Sequence, residues 1–200
     1  MSANPQTTAG ERASPGADPL LVRTESDALV QLTLNRPLQY NALSEEMLAA
    51  LRQALEEIAA DRSVRVVVLA GTGKAFCAGH DLRQMQARGS PDYFRWLFAE
   101  CAKVMAQIRT LPQPVIARVH GVATAGGCQL VASCDLAVAS NLARFATSGI
   151  NVGLFCSTPA VALARNMAQK QAFEMLVTGD FIDAATALAR GLVNLSLIHI

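Results

Sequence analysis

The eight residues VRVVVLAG, positions 64–71, constrain the fold more than any other stretch. Half of them are β-branched, and they show no polar alternation. A strand with one wet face alternates with a period of two residues. This run therefore predicts a strand buried on both faces, the setting of a parallel sheet covered by helices. PVIARVHG at 114–121 and DLAVAS at 135–140 repeat the pattern. Helical segments fall between and after them. Over 45–60, Ser44 serves as N-cap, Glu45 and Glu46 suit the positive helix end, and Leu48, Leu51, Leu55 and Ile58 recur on one face. Over 92–110 the apolar set is Phe94, Leu97, Phe98, Val104 and Ile108. A further helix opens near Gly126, and 158–167, 169–178 and 183–190 form three more, with stops at Gly179 and Gly191. Short strands at 20–22 and 29–34, around a polar turn at 25–27, begin the ordered chain. Strand alternating with helix gives an α/β fold class.

Composition narrows the function classes. The 200 residues, 52% of them hydrophobic, suit one domain with a substantial core. A net charge of +1 with no basic run gives no field to recruit nucleic acid or an anionic membrane. No apolar stretch reaches the length of a membrane span. The five cysteines (77, 101, 128, 134, 156) are odd in number and form no CxxC pair or Cys/His cluster. Buried reduced thiols in a cytoplasmic protein, without a metal site, are the expectation. Residues 1–19, rich in Ala, Pro, Ser, Thr and Gly and lacking an apolar core, are expected to be a disordered tail. LSLIHI at 195–200 is apolar, ends without a cap and resembles translated adapter DNA. It is expected to be a non-native tail, so the domain spans 20–194.

The glycines near the strand ends ask what approaches bare backbone there. A dinucleotide site fails the test: GTGKAF at 71–76 has Phe where GxGxxG needs its last glycine, and Lys74 misses the phosphate-loop spacing. Two strand-to-helix loops, FCAGHDL (76–82) and TAGGCQL (124–130), fit better. If they are neighbours, each offers one backbone N–H to a single oxygen, the second from a helix N-terminus. That arrangement is an oxyanion hole for an enolate or a tetrahedral anion. The plainer reading is that Gly126 and Gly127 allow close helix packing.

LNRPLQYNAL, KAFCAGHDL and VHGVATAGGCQLVASCDLAVAS come in the order and at the spacing of the enoyl-CoA hydratase/isomerase (crotonase) family, and the resemblance covers about residues 20–194. FCSTPAVALARN at 155–166 resembles one branch of it. The resemblance implies a crotonase-like ββα spiral, trimers or dimers of trimers, and acyl-CoA thioester ligands, with coenzyme A arriving as part of the substrate and no separate cofactor. It also implies further C-terminal helices beyond this chain, and a mitochondrial location if the source is eukaryotic. The oxyanion donors would be the backbone N–H groups of His80 and Gly126, and His80, Asp81, Leu82 and Arg83 would line the pantetheine of coenzyme A. Neither the His80 nor the His120 side chain is implied as a base.

The resemblance also exposes departures. The two glutamates that hold and deprotonate water in the family's hydratases fall at Gln129 and Gly149. Glutamine hydrogen-bonds water but takes no proton near neutral pH, and glycine offers nothing. General acid–base assistance is worth roughly 10²–10⁴ per group, so efficient hydration is not expected. Leu38 stands where the family often has a basic residue. Cys156, Ser157, Thr158, Asp81 and Glu100 are the candidate substitutes. The functional case for Cys156 is a thiol whose pKa a helix dipole would lower. The others have structural readings beside them: Ser157 or Thr158 as an N-cap ahead of Pro159, Asp81 as a helix start, and Glu100 as a solvated face. Two readings stay open, an enzyme that polarises a thioester carbonyl and a non-catalytic acyl-CoA binder or regulatory subunit.

Overall fold

The computed structural model describes residues 18–198, so the tail expected over 1–19 lies almost wholly outside the described residues. The ordered chain opens with an antiparallel pair, β1 (Leu21–Ser26) and β2 (Leu29–Leu34), joined through Asp27 at φ 53°. Helix α1 (Glu45–Ala60) follows. Its Ser44 cap accepts a hydrogen bond from the Met47 amide, and Met47, Leu48, Leu51, Ala54, Leu55 and Ile58 form its buried face.

From there the chain winds as a spiral. β3 (Val66–Gly71) and β4 (Ala75–Cys77) lead into α2 (Leu82–Arg88) and α3 (Pro91–Thr110). β5 (Val115–Val119) and β6 (Val122–Thr124) lead into α4 (Gly126–Ser133). β7 (Leu136–Ser140) and β8 (Arg144–Ala146) lead into α5 (Ser157–Asn166). Each turn thus gives one strand to each of two sheets and then crosses back through helix. α6 (Gln169–Thr178), β9 (Ile182–Asp183), α7 (Ala184–Ala189) and β10 (Leu195–Leu197) complete the described chain. The larger sheet runs β1-β2-β3-β5-β7-β10, parallel from β2 onward, and the smaller runs β4-β6-β8-β9. This is the α/β spiral that the resemblance implied. The core lies between sheets and helices, with Phe76 and Phe145 among its largest fully buried side chains.

Three details differ from the sequence reading. On β3 one face is fully buried (Val67, Leu69), but Val66 and Val68 are only half-buried, so the strand is less enclosed than its composition predicts. The strands β4, β6, β8 and β9 are new to the structure, because two or three residues are too few to display a period in sequence. Helix α5 begins at Ser157, with Cys156 as a cap that makes no side-chain bond; Pro159 is therefore the third helical residue, not the first. Residues 195–197 pair in parallel with β7. An open sheet edge accepts any extended apolar segment through main-chain groups alone, so the pairing carries no information on the origin of residues 195–200.

Candidate active site

The site is assembled by the pairing of the two short strands β4 and β6, which run parallel with Ala75 opposite Val122 and Cys77 opposite Ala123. Their outgoing loops leave the same end of the smaller sheet side by side. Gly79, at φ +88°, makes the approach possible: a Cβ there would lie 2.9 Å from the Ala125 Cβ and 3.0 Å from the Gly126 nitrogen. The Leu43 amide donates to the Gly79 carbonyl at 2.8 Å and the Asp81 amide donates to the Leu43 carbonyl at 3.3 Å. This bridge skips the intervening His80 amide, which has no acceptor among the described residues. The Gly126 amide, at the first residue of α4, is likewise without an acceptor, as the first turn of any helix requires, and it sits at the positive end of the helix dipole. Between them Ala125 is held at φ 49°, ψ −118°, an expensive conformation for a residue with a Cβ. Bonds from its amide to the Ala146 carbonyl and from the Gln129 amide to its own carbonyl, both 3.0 Å, pin it there.

His80, Ala125 and Gly126 line a cavity of about 680 Å³. His80, Asp81, Leu82 and Arg83 all line it, together with Gly126, Gln129 and Gly149. Asp81 is committed to structure: it caps α2 by accepting from the Gln84 amide and pairs with Arg36 at 3.2 Å. The His80 ring packs edge-on against Phe98, with centroids 5.2 Å apart, and its buried Nδ1 has no partner. Burial pushes its pKa down to about 4, so the imidazole is neutral across the physiological range.

The two residues that the resemblance set at glutamate positions, Gln129 and Gly149, both border the cavity, in different states. Gln129 is 6% exposed, and its Oε1 accepts a hydrogen bond from Thr158 Oγ1 at 3.2 Å. Gly149 is more than an absent side chain. A Cβ there would lie 2.3 Å from the Leu154 carbonyl oxygen and 2.8 Å from Cys156 Sγ, so a carboxylate cannot be placed without moving the 149–156 segment.

The candidate substitutes fare differently from expectation. Burial raises the pKa of the Cys156 thiol, with only a smaller lowering from a backbone hydrogen bond of Gly149, against the expectation of a lowered thiol. Native protein at pH 7 is accordingly expected to react with iodoacetamide at Cys156 at least about tenfold more slowly than unfolded protein, read by peptide mass spectrometry. Thr158 does not cap α5; its hydroxyl turns to Gln129 instead. Glu100 lies outside this cavity, paired with Arg52 at 2.9 Å and with Lys103 at 2.6 Å. His120 Nε2 lies 2.9 Å from the Gly73 carbonyl and ties two loops together. The five cysteines are free thiols, and no cluster of potential metal ligands occurs among the described residues.

Sequence reasoning missed several lining residues. Phe98 reads as an ordinary core position of a long helix, and Arg95 as a solvated one, yet both border the cavity. Val152, Leu154 and Phe155 add a partly exposed apolar wall, and Ser148 reaches across to Thr124 with 2.7 Å between the hydroxyl oxygens.

Three spiral turns bring two acceptor-free amides beside one apolar-walled cavity, and comparison with known proteins gives the class of this fold. The sequence model of the enoyl-CoA hydratase/isomerase family matches residues 24–197, and the chain belongs to that family. It is 49% identical over 176 residues to enoyl-CoA hydratase domain-containing protein 3, mitochondrial, of Xenopus laevis, covering 88% of this chain and 60% of that one. Among solved structures it superposes on an enoyl-CoA hydratase from Mycobacterium smegmatis with a TM-score of 0.89 at 62% identity, covering 90% of this chain and 70% of the other. The human enoyl-CoA hydratase domain-containing protein 3 gives 0.87 at 45% identity, with 90% and 71% covered. The chain spans about three-fifths of the length of the curated relatives it matches. No described helix is long and apolar enough to cross a membrane.

Proposed function

We propose that the cavity binds an acyl-CoA thioester and polarises its carbonyl between the backbone amides of His80 and Gly126. The observation that carries this reading is the pair of amides without acceptors, delivered to one cavity by adjacent parallel strands. A thioester oxygen accepting both bonds gains most when negative charge develops on it, since the donors are fixed and the α4 dipole favours an anion. The α-carbon becomes more acidic as a result. Asp81, Leu82 and Arg83 would run beside the pantetheine, with Arg83 and Arg95 the cations available to the phosphates in place of Leu38. Coenzyme A enters as part of the substrate, and no further cofactor is invoked. A homotrimer or a dimer of trimers is part of the proposal, as is a mitochondrial location of the kind carried in the names of the animal relatives.

Hydration does not follow from this site. Gln129 accepts no proton, Gly149 is closed to a side chain, burial makes His80 a weak base with a pKa near 4, and the Cys156 thiol is held protonated. Proton transfer at the α-carbon would therefore use solvent or buffer as base. The closure at Gly149 favours a second reading, a family scaffold kept for acyl-CoA binding without turnover.

One experiment separates them. Incubated with butyryl-CoA in D₂O, the protein is expected to place deuterium at the α-carbon above the buffer rate, and Gly126→Val, which fills the cavity, to abolish the gain. Binding without exchange supports the second reading. No binding by calorimetry overturns both.

A further inference from the structure

Gln129 is the polar side chain whose environment the acyl-CoA reading leaves unexplained. It sits on α4 three residues after Gly126, on the same face, about 4.5 Å further along the helix axis. Its Oε1 is occupied by the Thr158 hydroxyl. That bond fixes the rotation of the amide and turns Nε2 the other way. Nε2 has no acceptor among the described residues, and it is absent from the buried unpartnered atoms, so it reaches open space. Because Gln129 is 6% exposed and lines the cavity, that space is the cavity. The family's hydratases present a carboxylate here, an acceptor for water. This chain presents an N–H donor, held by a neighbour.

We infer that Gln129 is a specificity-determining residue and that the site selects acyl-CoA thioesters carrying a carbonyl at C3, that is 3-oxoacyl-CoA. The inference rests on the acyl-CoA reading above. With the thioester oxygen at the Gly126 end of α4, a donor about 4.5 Å along the axis faces carbons 2 to 4 of the acyl chain. A saturated or 2-enoyl chain lying there covers the amide and leaves its donor without a partner, which costs a large part of a hydrogen bond's desolvation. A 3-oxo group accepts the bond. A pocket built to hydrogen-bond a ligand group discriminates strongly against the analogue that lacks it. A carbonyl fits better than a carboxylate, because Gln129, Thr158 and Ser148, the polar side chains beside this wall, carry no compensating positive charge. Thr158 acts as a positioning residue: without its hydroxyl the amide is free to rotate and present either end.

Calorimetric titration of the protein with 3-oxobutyryl-CoA and butyryl-CoA tests this. The wild type is expected to bind the 3-oxo thioester about tenfold more tightly. Gln129→Glu, the same shape without the donor, is expected to erase or reverse that preference while still binding butyryl-CoA. Thr158→Val is expected to reduce the preference to about twofold, and Thr158→Ser, which restores the hydroxyl, to recover it. Equal binding of the two thioesters by the wild type, or an undiminished preference in Gln129→Glu or Thr158→Val, overturns the inference and leaves the acyl-CoA reading standing. Failure to bind either thioester overturns the acyl-CoA reading itself.

Discussion

Gly127→Ala is expected to destabilise the protein by about 3 kcal/mol or more, seen as a lower urea midpoint at unchanged slope. A Cβ at 127 would lie 2.0 Å from the Cys77 carbonyl oxygen, 2.7 Å from its carbon and 2.9 Å from its Cβ. Two of those atoms are backbone, so no rotamer relieves the clash. The end of β4 or the whole of α4 must move, and both are fixed: α4 is buried from Gly126 to Ser133, and β4 is hydrogen-bonded to β6. A domain this size is stable by roughly 5–15 kcal/mol, so the loss is a large share. Gly126→Ala is the control. Its Cβ would meet the Leu43 Cδ1 at 3.2 Å, the tip of a side chain that can turn aside, with Gly79 Cα at 3.5 Å. It is expected to fold within about 1 kcal/mol of wild type. Equal stability of the two variants would show that α4 does not rest on β4 as described.

That contrast resolves what the glycine pair left undecided. In the sequence, Gly126 and Gly127 share one explanation, either ligand approach or helix packing. In the structure each takes one of the two: Gly126 opens onto the cavity and Gly127 seats the helix on Cys77. The distinction depends on which way a helix turns over a strand far away in sequence, and no local pattern carries it.

The larger elements were legible because their signals are long. α6 matches its reading residue for residue, since an apolar period ends on Gly179 at φ +69°. α5 was misplaced by one plausible rule: proline favours the first helical position, but the whole first turn has amides without helical partners, and Pro159 uses the third. The adjacency of the His80 and Gly126 loops was legible only through family resemblance, because it depends on the pairing of two three-residue strands. The closure of Gly149 was not legible at all. It comes from a tight turn that returns the Leu154 carbonyl over the glycine, with the Leu154 amide bonded to the Gly149 carbonyl at 2.9 Å. The sequence shows only that no carboxylate stands at 149; the turn adds that a side chain there would meet the Leu154 carbonyl and the Cys156 thiol.

Acid is expected to destabilise the protein through His80 by about 3 kcal/mol between pH 6.5 and pH 4. Burial holds the folded-state pKa near 4, against an ordinary value of 6.5 in the unfolded chain. Between those values the unfolded chain binds a proton that the folded protein refuses. The stabilising contribution is therefore complete above pH 6.5, declines by up to about 1.4 kcal/mol per pH unit as pH falls, and is exhausted near pH 4. Carboxylates add their own acid loss lower down: hydrogen bonds from Ser44 and Ser63 hold Glu46 and Asp61 below their usual range, and the hydrogen bond from Lys103 does the same for Glu100. A single variant isolates the histidine. His80→Phe is shaped to keep the edge contact with Phe98 and removes both ring nitrogens, hence the titration. Urea unfolding of both proteins from pH 7.5 to pH 4 should show the wild type losing about 3 kcal/mol more than His80→Phe, most of it between pH 6 and 4.5. Parallel stability curves would mean that His80 takes up a proton without leaving its pocket, and the neutral imidazole assumed at the candidate site would have to be abandoned. The same neutrality has a consequence for ligands. With His80 uncharged and Gln129 unable to titrate, acyl-CoA affinity is expected to be flat from pH 6 to pH 8, so a bell-shaped profile in that window would point to a titrating group outside this cavity wall.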